Sequence, residues 1–519
     1  MRNNRWYPLY HVAAPTGWIN DPNGFCTYKG QYHLFYQYHP YSAQWGPMHW
    51  GHVVSKDFVH WEHLPVSLKP DQPYDRDGCF SGSAIEFDGL LYLLYTGNVP
   101  EGQKQCLAVS DDGINFEKYE GNPVIEVPQD EDIHPIDFRD PKVWRHGKKF
   151  YAVIGSKTTD KPQIDEEQKP AENPEVDEEQ KPTENPEVDE EQKPAESPEV
   201  DEEQQPAEEP KVDNAQHGQA LLYESTNLIK WKFKSISARG QGNQGNMWEC
   251  PNFAKVDGKD VLIISPMGIE PEGNKFLNHV DSGYFIGKLD YKTGVFTHGD
   301  FELLDYGSDF YAPQIMHTED GRCIMIGWLA MWYADMPEQE DGWAGLMTVP
   351  RELHIRDGKL IVEPVKELET LRKSSVIHTN LKLMVSNKLY GVRGDTGELL
   401  AEVDVAKSGN FAIELRAGET EKTVLEYDKE TSIFSIDREN SGVGPKDKRE
   451  VNLTPAEKLK LRIYLDRSSI EVFINDGEAV MSARIYPAET SQDIIFVPRD
   501  GELTLDQVIF YKLSQGIAQ

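Results

Sequence analysis

The sequence predicts an all-β protein made of many short strands, and three observations carry that prediction. Short runs of aromatic, β-branched and aliphatic residues recur, such as Tyr32-His33-Leu34-Phe35-Tyr36 and Leu90-Leu91-Tyr92-Leu93-Leu94-Tyr95. Hairpin signals punctuate them, among them Lys29-Gly30, Asp88-Gly89, Asp112-Gly113, Asp257-Gly258 and Asp320-Gly321. Long amphipathic helices are hard to find. Strands of this length and spacing close as a propeller, a barrel or a sandwich.

The chain has 519 residues, too many for a single domain of ordinary size. Residues 1–365 carry the strand runs above, together with Phe150-Tyr151-Ala152-Val153-Ile154 and Val261-Leu262-Ile263-Ile264. Two similar stretches, Phe58-Val59-His60-Trp61 and Leu228-Ile229-Lys230-Trp231, each follow a Ser-x-Asp or Ser-x-Asn turn. They hint at repeated blade-like units without fixing a number. After Val365 the character changes. Lys366–Lys373 reads as a short charged helical stretch. Alternating runs such as Phe411-Ala412-Ile413-Glu414-Leu415 and Ile470-Glu471-Val472-Phe473-Ile474 then predict a separate β-sandwich over 366–519.

One segment interrupts the first part. Over 161–214 a 12-residue unit recurs, written out in Pro174-Glu175-Val176-Asp177-Glu178-Glu179-Gln180-Lys181-Pro182. It holds no aromatic residue and one aliphatic residue per unit, so it cannot bury enough apolar surface to offset its ordering entropy. The sequence predicts a disordered insertion between two adjacent strands. From Asp160 to Asp213 there are 22 acidic residues against five lysines, a net −17 of the chain's total of −35.

That charge excludes a nucleic-acid partner, because phosphate recognition needs a basic surface, and it disfavours an anionic membrane. No apolar run approaches the length of a membrane span. The N-terminus shows no apolar signal-peptide core. The five cysteines (Cys26, Cys79, Cys106, Cys250 and Cys323) have no paired spacing and read as reduced, buried thiols. A cytoplasmic protein is expected. Homo-oligomerisation is left open.

Three acidic segments are candidates for chemistry: Trp18-Ile19-Asn20-Asp21-Pro22-Asn23-Gly24, Phe138-Arg139-Asp140-Pro141 and Trp248-Glu249-Cys250-Pro251. Hydrolysis of a sugar acetal needs one ionised carboxylate to attack and one protonated carboxyl to release the leaving oxygen. A third can stabilise developing positive charge. Arg139 would keep the neighbouring Asp140 ionised, and Trp248 would desolvate Glu249 and raise its pKa. Taken singly, each is more often turn chemistry or a surface pair.

Together and in this order, the three segments resemble glycoside hydrolase family 32. Further stretches extend the likeness: Tyr32–Tyr38, Trp45-Gly46-Pro47-Met48-His49-Trp50-Gly51-His52, Cys79-Phe80-Ser81-Gly82-Ser83, Asp309-Phe310-Tyr311-Ala312-Pro313-Gln314 and Asp466-Arg467-Ser468-Ser469-Ile470-Glu471-Val472-Phe473. The resemblance implies a five-bladed β-propeller followed by a C-terminal β-sandwich. It implies that Asp21 is the nucleophile, Glu249 the acid/base and Asp140 the transition-state stabiliser. Asn20, Gln37, Trp45, Phe80, Ser81 and Arg139 would line the fructose subsite, with Trp328 as a further wall residue. The retaining mechanism of the family implies that the Asp21 and Glu249 carboxyls lie about 5–5.5 Å apart.

The expected activity is cleavage of terminal β-D-fructofuranosides, sucrose or sucrose 6-phosphate foremost. An exo-inulinase or levanase, a fructosyltransferase and a non-catalytic fructan-binding protein are the alternatives. No cofactor and no metal are expected. His49 and His52 lack a third ligand at a recognisable spacing and read as packed strand residues. Cys250 lacks a histidine relay and reads as a buried thiol.

Overall fold

The computed structural model describes residues 4–128, 131–159 and 216–518. The predicted insertion 161–214 lies outside them. Among the described residues no helix is long and apolar enough to cross a membrane.

The first part folds as five sheets arranged around an axis, antiparallel throughout except where the short strand Trp343–Ala344 joins Gly17–Tyr28 in parallel. Their inner strands are Gly17–Tyr28, Cys79–Phe87, Phe138–His146, Met247–Val256 and Tyr311–His317, and each touches the next around the ring. These are blades 1 to 5 of a β-propeller. Apolar side chains fill the spaces between blades. Phe35, Trp50, Leu93 and Tyr95 pack blade 1 on blade 2, and Val153, Leu222, Trp248 and Phe285 pack blade 3 on blade 4. Alternation along each strand puts one face of each sheet on each neighbour.

A recurring turn shapes the outer edges. In blade 1, Asp57 Oδ1 accepts the backbone N–H groups of Val59 and His60, Phe58 takes φ +66°, and Trp61 Nε1 donates to Phe58 O at 2.8 Å. Blade 3 repeats this with Asn227, Leu228 (φ +64°) and Trp231. Blade 2 repeats it with Asp112, Gly113 (φ +81°) and Phe116 in the matching positions. The short polar side chain satisfies the turn's amides, which lets a non-glycine residue take the left-handed conformation.

A short 3₁₀ turn, Lys366–Leu371, leads out of blade 5. The helical stretch expected to reach Lys373 stops earlier, because Arg372 and Lys373 enter the strand Arg372–Leu383. Two sheets follow, one of six strands and one of five, facing each other across a core that includes Leu399, Phe411, Phe434, Ile463, Val472 and Phe510. This is the β-sandwich.

Buried ion pairs join the sandwich to the propeller. Arg351 of blade 5 meets Asp305 at 2.9 Å and Glu471 at 2.5 Å. Arg438 meets Asp309 at 2.6 Å, and Arg484 meets Glu338 at 3.0 Å. His11, in the N-terminal segment, lies between Asp466 and Glu471, 2.9 Å from each. Every one of these groups is almost wholly buried, so none could lose its partner without leaving a stranded charge.

Candidate active site

All five inner strands begin with a β-bulge at the same end of the propeller. The ladder slips between Ile19 and Pro22, Phe80 and Gly82, Arg139 and Lys142, Glu249 and Asn252, and Tyr311 and Gln314. The slipped residue is followed by Pro22, Gly82, Pro141, Pro251 or Pro313. Proline has no N–H to lose at a position where the ladder is already open. Asp140, Cys250 and Ala312 sit in the left-handed region, at φ +64°, +46° and +49°. A bulge re-aims its side chain, and here five bulges aim side chains toward one another across the axis.

Asp21 comes from blade 1 and is buried. Ser81 Oγ donates to its Oδ2 at 2.5 Å, and Asn20 Nδ2 donates to its Oδ1 at 3.0 Å. Trp18 Nε1 in turn donates to Asn20 Oδ1 at 2.9 Å and sets the amide's orientation. Asp140, from blade 3, accepts the Cys250 backbone N–H on Oδ2 at 2.9 Å. The Cys250 thiol lies between these two carboxylates, 3.5 Å from Asp21 Oδ2 and 3.6 Å from Asp140 Oδ2. Glu249, from blade 4, is held on both oxygens: Arg139 Nε donates to Oε1 at 2.9 Å and Tyr311 OH to Oε2 at 2.7 Å.

Burial and mutual repulsion set the electrostatics. Burial raises the Asp21 carboxyl above its ordinary value, the charge of Glu249 adds to this, and the Ser81, Asn20 and Cys250 hydrogen bonds oppose it. Burial pushes Asp140 up to about 7, again with Glu249 adding and Arg139 opposing. Burial, with the charges of Asp140 and Asp21, holds the Cys250 thiol far above its usual range, so it is a neutral donor and no thiolate nucleophile.

Asn20, Ser81 and Arg139 gather at the carboxylates. Gln37 is buried and donates Nε2 to Cys79 O at 2.9 Å, holding the start of the blade 2 inner strand. Trp45 is 43% exposed and meets the half-buried Phe80 ring edge-on at 6.2 Å. Trp328 stands apart from the expected wall. It has no exposed surface and packs against Trp18, with ring centroids 5.9 Å apart, so it offers no surface to a ligand in this structure.

One further expectation is refined and one corrected. Arg139 favours the ionised form of Asp140 as expected, but only through space and without offsetting burial; its hydrogen bonds go to Glu249, to Asp137 through Nη1 at 2.7 Å and to Gln103 Oε1 at 3.2 Å. Trp248 does not cover Glu249. Strand alternation sends its ring to the opposite face, against Phe285, where Nε1 donates to Gln244 O at 2.7 Å. Tyr311 lies within the Asp309–Gln314 stretch that resembles family 32, but the sequence alone gives it no role. Its signal was the Ala312-Pro313 step, the same residue-then-proline pattern that marks the carboxylate strands. His49 and His52 are packed as expected: His49 Nδ1 lies 3.1 Å from Pro47 O, and His52 Nε2 lies 3.0 Å from His33 Nδ1.

Paired carboxyl groups with a third beside them are what acetal hydrolysis uses. Comparison with known proteins identifies the class. The pattern of the glycosyl hydrolases family 32 N-terminal domain matches residues 11–165 and 210–364, and that of the family's C-terminal domain matches residues 367–512. The chain belongs to glycosyl hydrolase family 32. It is 37% identical to a raffinose invertase of Escherichia coli, over 99% of this chain and 96% of that one. It is 37% identical to a sucrose-6-phosphate hydrolase of Zymomonas mobilis, over 95% of this chain and 89% of that one. Among solved structures, a Bombyx mori β-fructofuranosidase in complex with sucrose superposes with a TM-score of 0.79 at 33% identity, covering 100% of this chain and 96% of that one.

Proposed function

We propose that this chain is a retaining β-fructofuranosidase that releases fructose from sucrose or sucrose 6-phosphate. The observation that carries the reading is the convergence of Asp21, Asp140 and Glu249 from three blades, each with its own donors. The Asp21 carboxylate attacks the anomeric carbon of the fructosyl unit. The Glu249 carboxyl gives its proton to the glycosidic oxygen, and the glucosyl part leaves. Glu249, now ionised, takes a proton from water as that water attacks the same carbon, which frees fructose and restores Asp21.

Asp140 holds ring hydroxyls and opposes the positive charge that develops between these steps. Tyr311 suits both states of Glu249. Its hydroxyl donates to the carboxylate, and when Glu249 is protonated it can accept and turn its own proton toward Ser265 O, 3.4 Å away. Residues 1–365 carry the site in this reading, and 366–519 form the sandwich that the interdomain ion pairs lock in place. The five buried, unpaired thiols support a reducing, cytoplasmic setting.

The test is reducing-sugar release from sucrose, sucrose 6-phosphate, inulin and levan, with Asp21→Asn and Glu249→Gln beside the parent. Both disaccharides are expected to turn over, with each variant's kcat lower by roughly 10²–10⁴ or more. Cleavage of the polymers alone would move the role to fructan degradation. Variants that match the parent would remove both residues from the mechanism.

A further inference from the structure

Resting on the hydrolase reading above, we propose that Asp137 is a positioning residue for the acid/base: it shares the charge of the Arg139 guanidinium and so keeps Glu249 available as a proton donor. The observation is how one buried cation is divided. Arg139 Nε donates to Glu249 Oε1 at 2.9 Å. Nη1 donates to Asp137 Oδ1 at 2.7 Å and to Gln103 Oε1 at 3.2 Å, and Nη2 faces Met267 Sδ at 3.7 Å. Two carboxylates thus share a single guanidinium, and the shorter bond goes to the one that has no proton to give.

Strand register brings the partners of Asp137 to it. Asp137 immediately precedes the inner strand of blade 3, Phe138–His146, whose second residue is Arg139. The neighbouring strand, Lys149–Lys157, pairs Ser156 with Phe138, which brings its last residue, Lys157, beside Asp137. Lys157 Nζ lies 3.1 Å from Asp137 Oδ2, and Ser156 Oγ donates to Asp137 O at 2.8 Å. His134 Nδ1 also lies 3.1 Å from Oδ2, and the His134 N–H donates to Lys157 O at 2.9 Å. Burial opposes the charge of Asp137, but His134, Arg139 and Lys157 outweigh it and hold the carboxyl far below its usual range. Asp137 is therefore a fixed negative charge beside Arg139.

A fixed charge matters there because Glu249 must be neutral to release the leaving oxygen. An unshared guanidinium within hydrogen-bond reach favours the ionised form of a carboxyl. Asp137 offsets part of that pull and leaves the Arg139 hydrogen bond to Oε1 in place. The other titratable groups facing Glu249 are Asp21, Asp140, Cys250 and Tyr311. Among the described residues, none of these four shares a hydrogen bond with Asp137.

The experiment records kcat/KM against pH with the full chain, for sucrose and for β-D-fructofuranosyl fluoride. In both, the Asp21 carboxylate attacks the anomeric carbon and the bond to the leaving group breaks. Fluoride departs with its electron pair and needs no proton, whereas the sugar oxygen takes one from Glu249. Asp137→Asn is expected to move the alkaline limb for sucrose to lower pH by on the order of one unit, about a tenfold loss on that limb, and to leave the fluoride profile in place. Lys157→Met removes a cation from Asp137 and is expected to move the same limb the other way, to higher pH. A merely structural role would slow both substrates, and an effect carried by Asp21 or Asp140 would show with fluoride too. An unmoved alkaline limb in Asp137→Asn, an equal loss with both substrates, or shifts of the same sign in the two variants would overturn the proposal and leave the hydrolase reading standing. Failure of the parent to cleave either substrate would overturn the hydrolase reading itself.

Discussion

At the scale of single residues, the site is a set of acids kept apart by small donors. Ser81 is the sharpest instance. Its hydroxyl hydrogen bond favours the ionised form of Asp21 against burial and the charge of Glu249. Ser81→Ala should therefore raise the Asp21 pKa further. A nucleophile must be ionised, so the acidic limb of the pH–rate profile should move to higher pH. At neutral pH the loss in kcat/KM should be roughly tenfold or more, the scale of a hydrogen bond to a charged group. An unmoved acidic limb would mean that Asp21 is not the group titrating there. Sequence reasoning singled out Asp21, Asp140 and Glu249 as carboxylates in short segments beside proline, and it was the resemblance of those segments, in that order, to family 32 that gave them roles. It misplaced Trp248, whose ring strand alternation carries to the face opposite Glu249.

At the scale of elements, the bulged start of each inner strand is the repeated device. Proline or glycine follows the bulge in all five blades, and this pattern was visible in the chain at Asp21-Pro22, Asp140-Pro141, Cys250-Pro251 and Ala312-Pro313. What it meant was not visible, because the register slip exists only against the neighbouring strand. The outer-edge turn was legible twice, at Phe58 and Leu228. Its third copy was hidden by Gly113 and Phe116, which replace the residues that made the other two look alike. Close approach between elements was not legible at all. Gly155, in blade 3, lies where an added Cβ would stand 2.1 Å from the carbonyl oxygen of Trp248, the residue before Glu249. Gly155→Ala should cost about 1–3 kcal/mol of stability by overpacking and should displace the Glu249 strand. The expected outcome is a lower Tm together with at least a tenfold loss of kcat. Gly299→Ala, whose added Cβ would stand 3.9 Å from Ile286 O, should leave both unchanged.

At the scale of the whole molecule, buried charge joins the parts. Burial opposes a charged His11, but hydrogen bonds to Asp466 and Glu471 outweigh it and push its pKa up to about 9. The folded value lies above the ordinary 6.5, so this contribution is complete below about pH 6.5 and is lost as pH rises through about 9. It is on the order of 3 kcal/mol where fully present. Thermal melts of the parent and His11→Gln should therefore differ most at pH 6 and converge by about pH 10. A constant difference would assign His11 to packing alone. The two-part architecture was legible from the change in strand pattern after Val365. The ion pairs across the junction were not, because their partners are far apart in the chain and nothing local marks them as buried.

The seam of the ring has a consequence for the order in which the molecule can be made. The outer strand of blade 1, Trp61–Leu68, is met by the end of the described chain: Trp61 N–H donates to Gly516 O at 2.7 Å and Ala518 N–H to Trp61 O at 3.0 Å, while Gly516 N–H donates to Leu9 O at 3.0 Å. Synthesis runs from the N-terminus at roughly 5–20 residues per second. The first blade to emerge from the ribosome is thus the last to be completed, and its edge waits for tens of seconds without its cover. That strand carries Glu62 and Pro65, residues that discourage pairing with a stray neighbour during the wait.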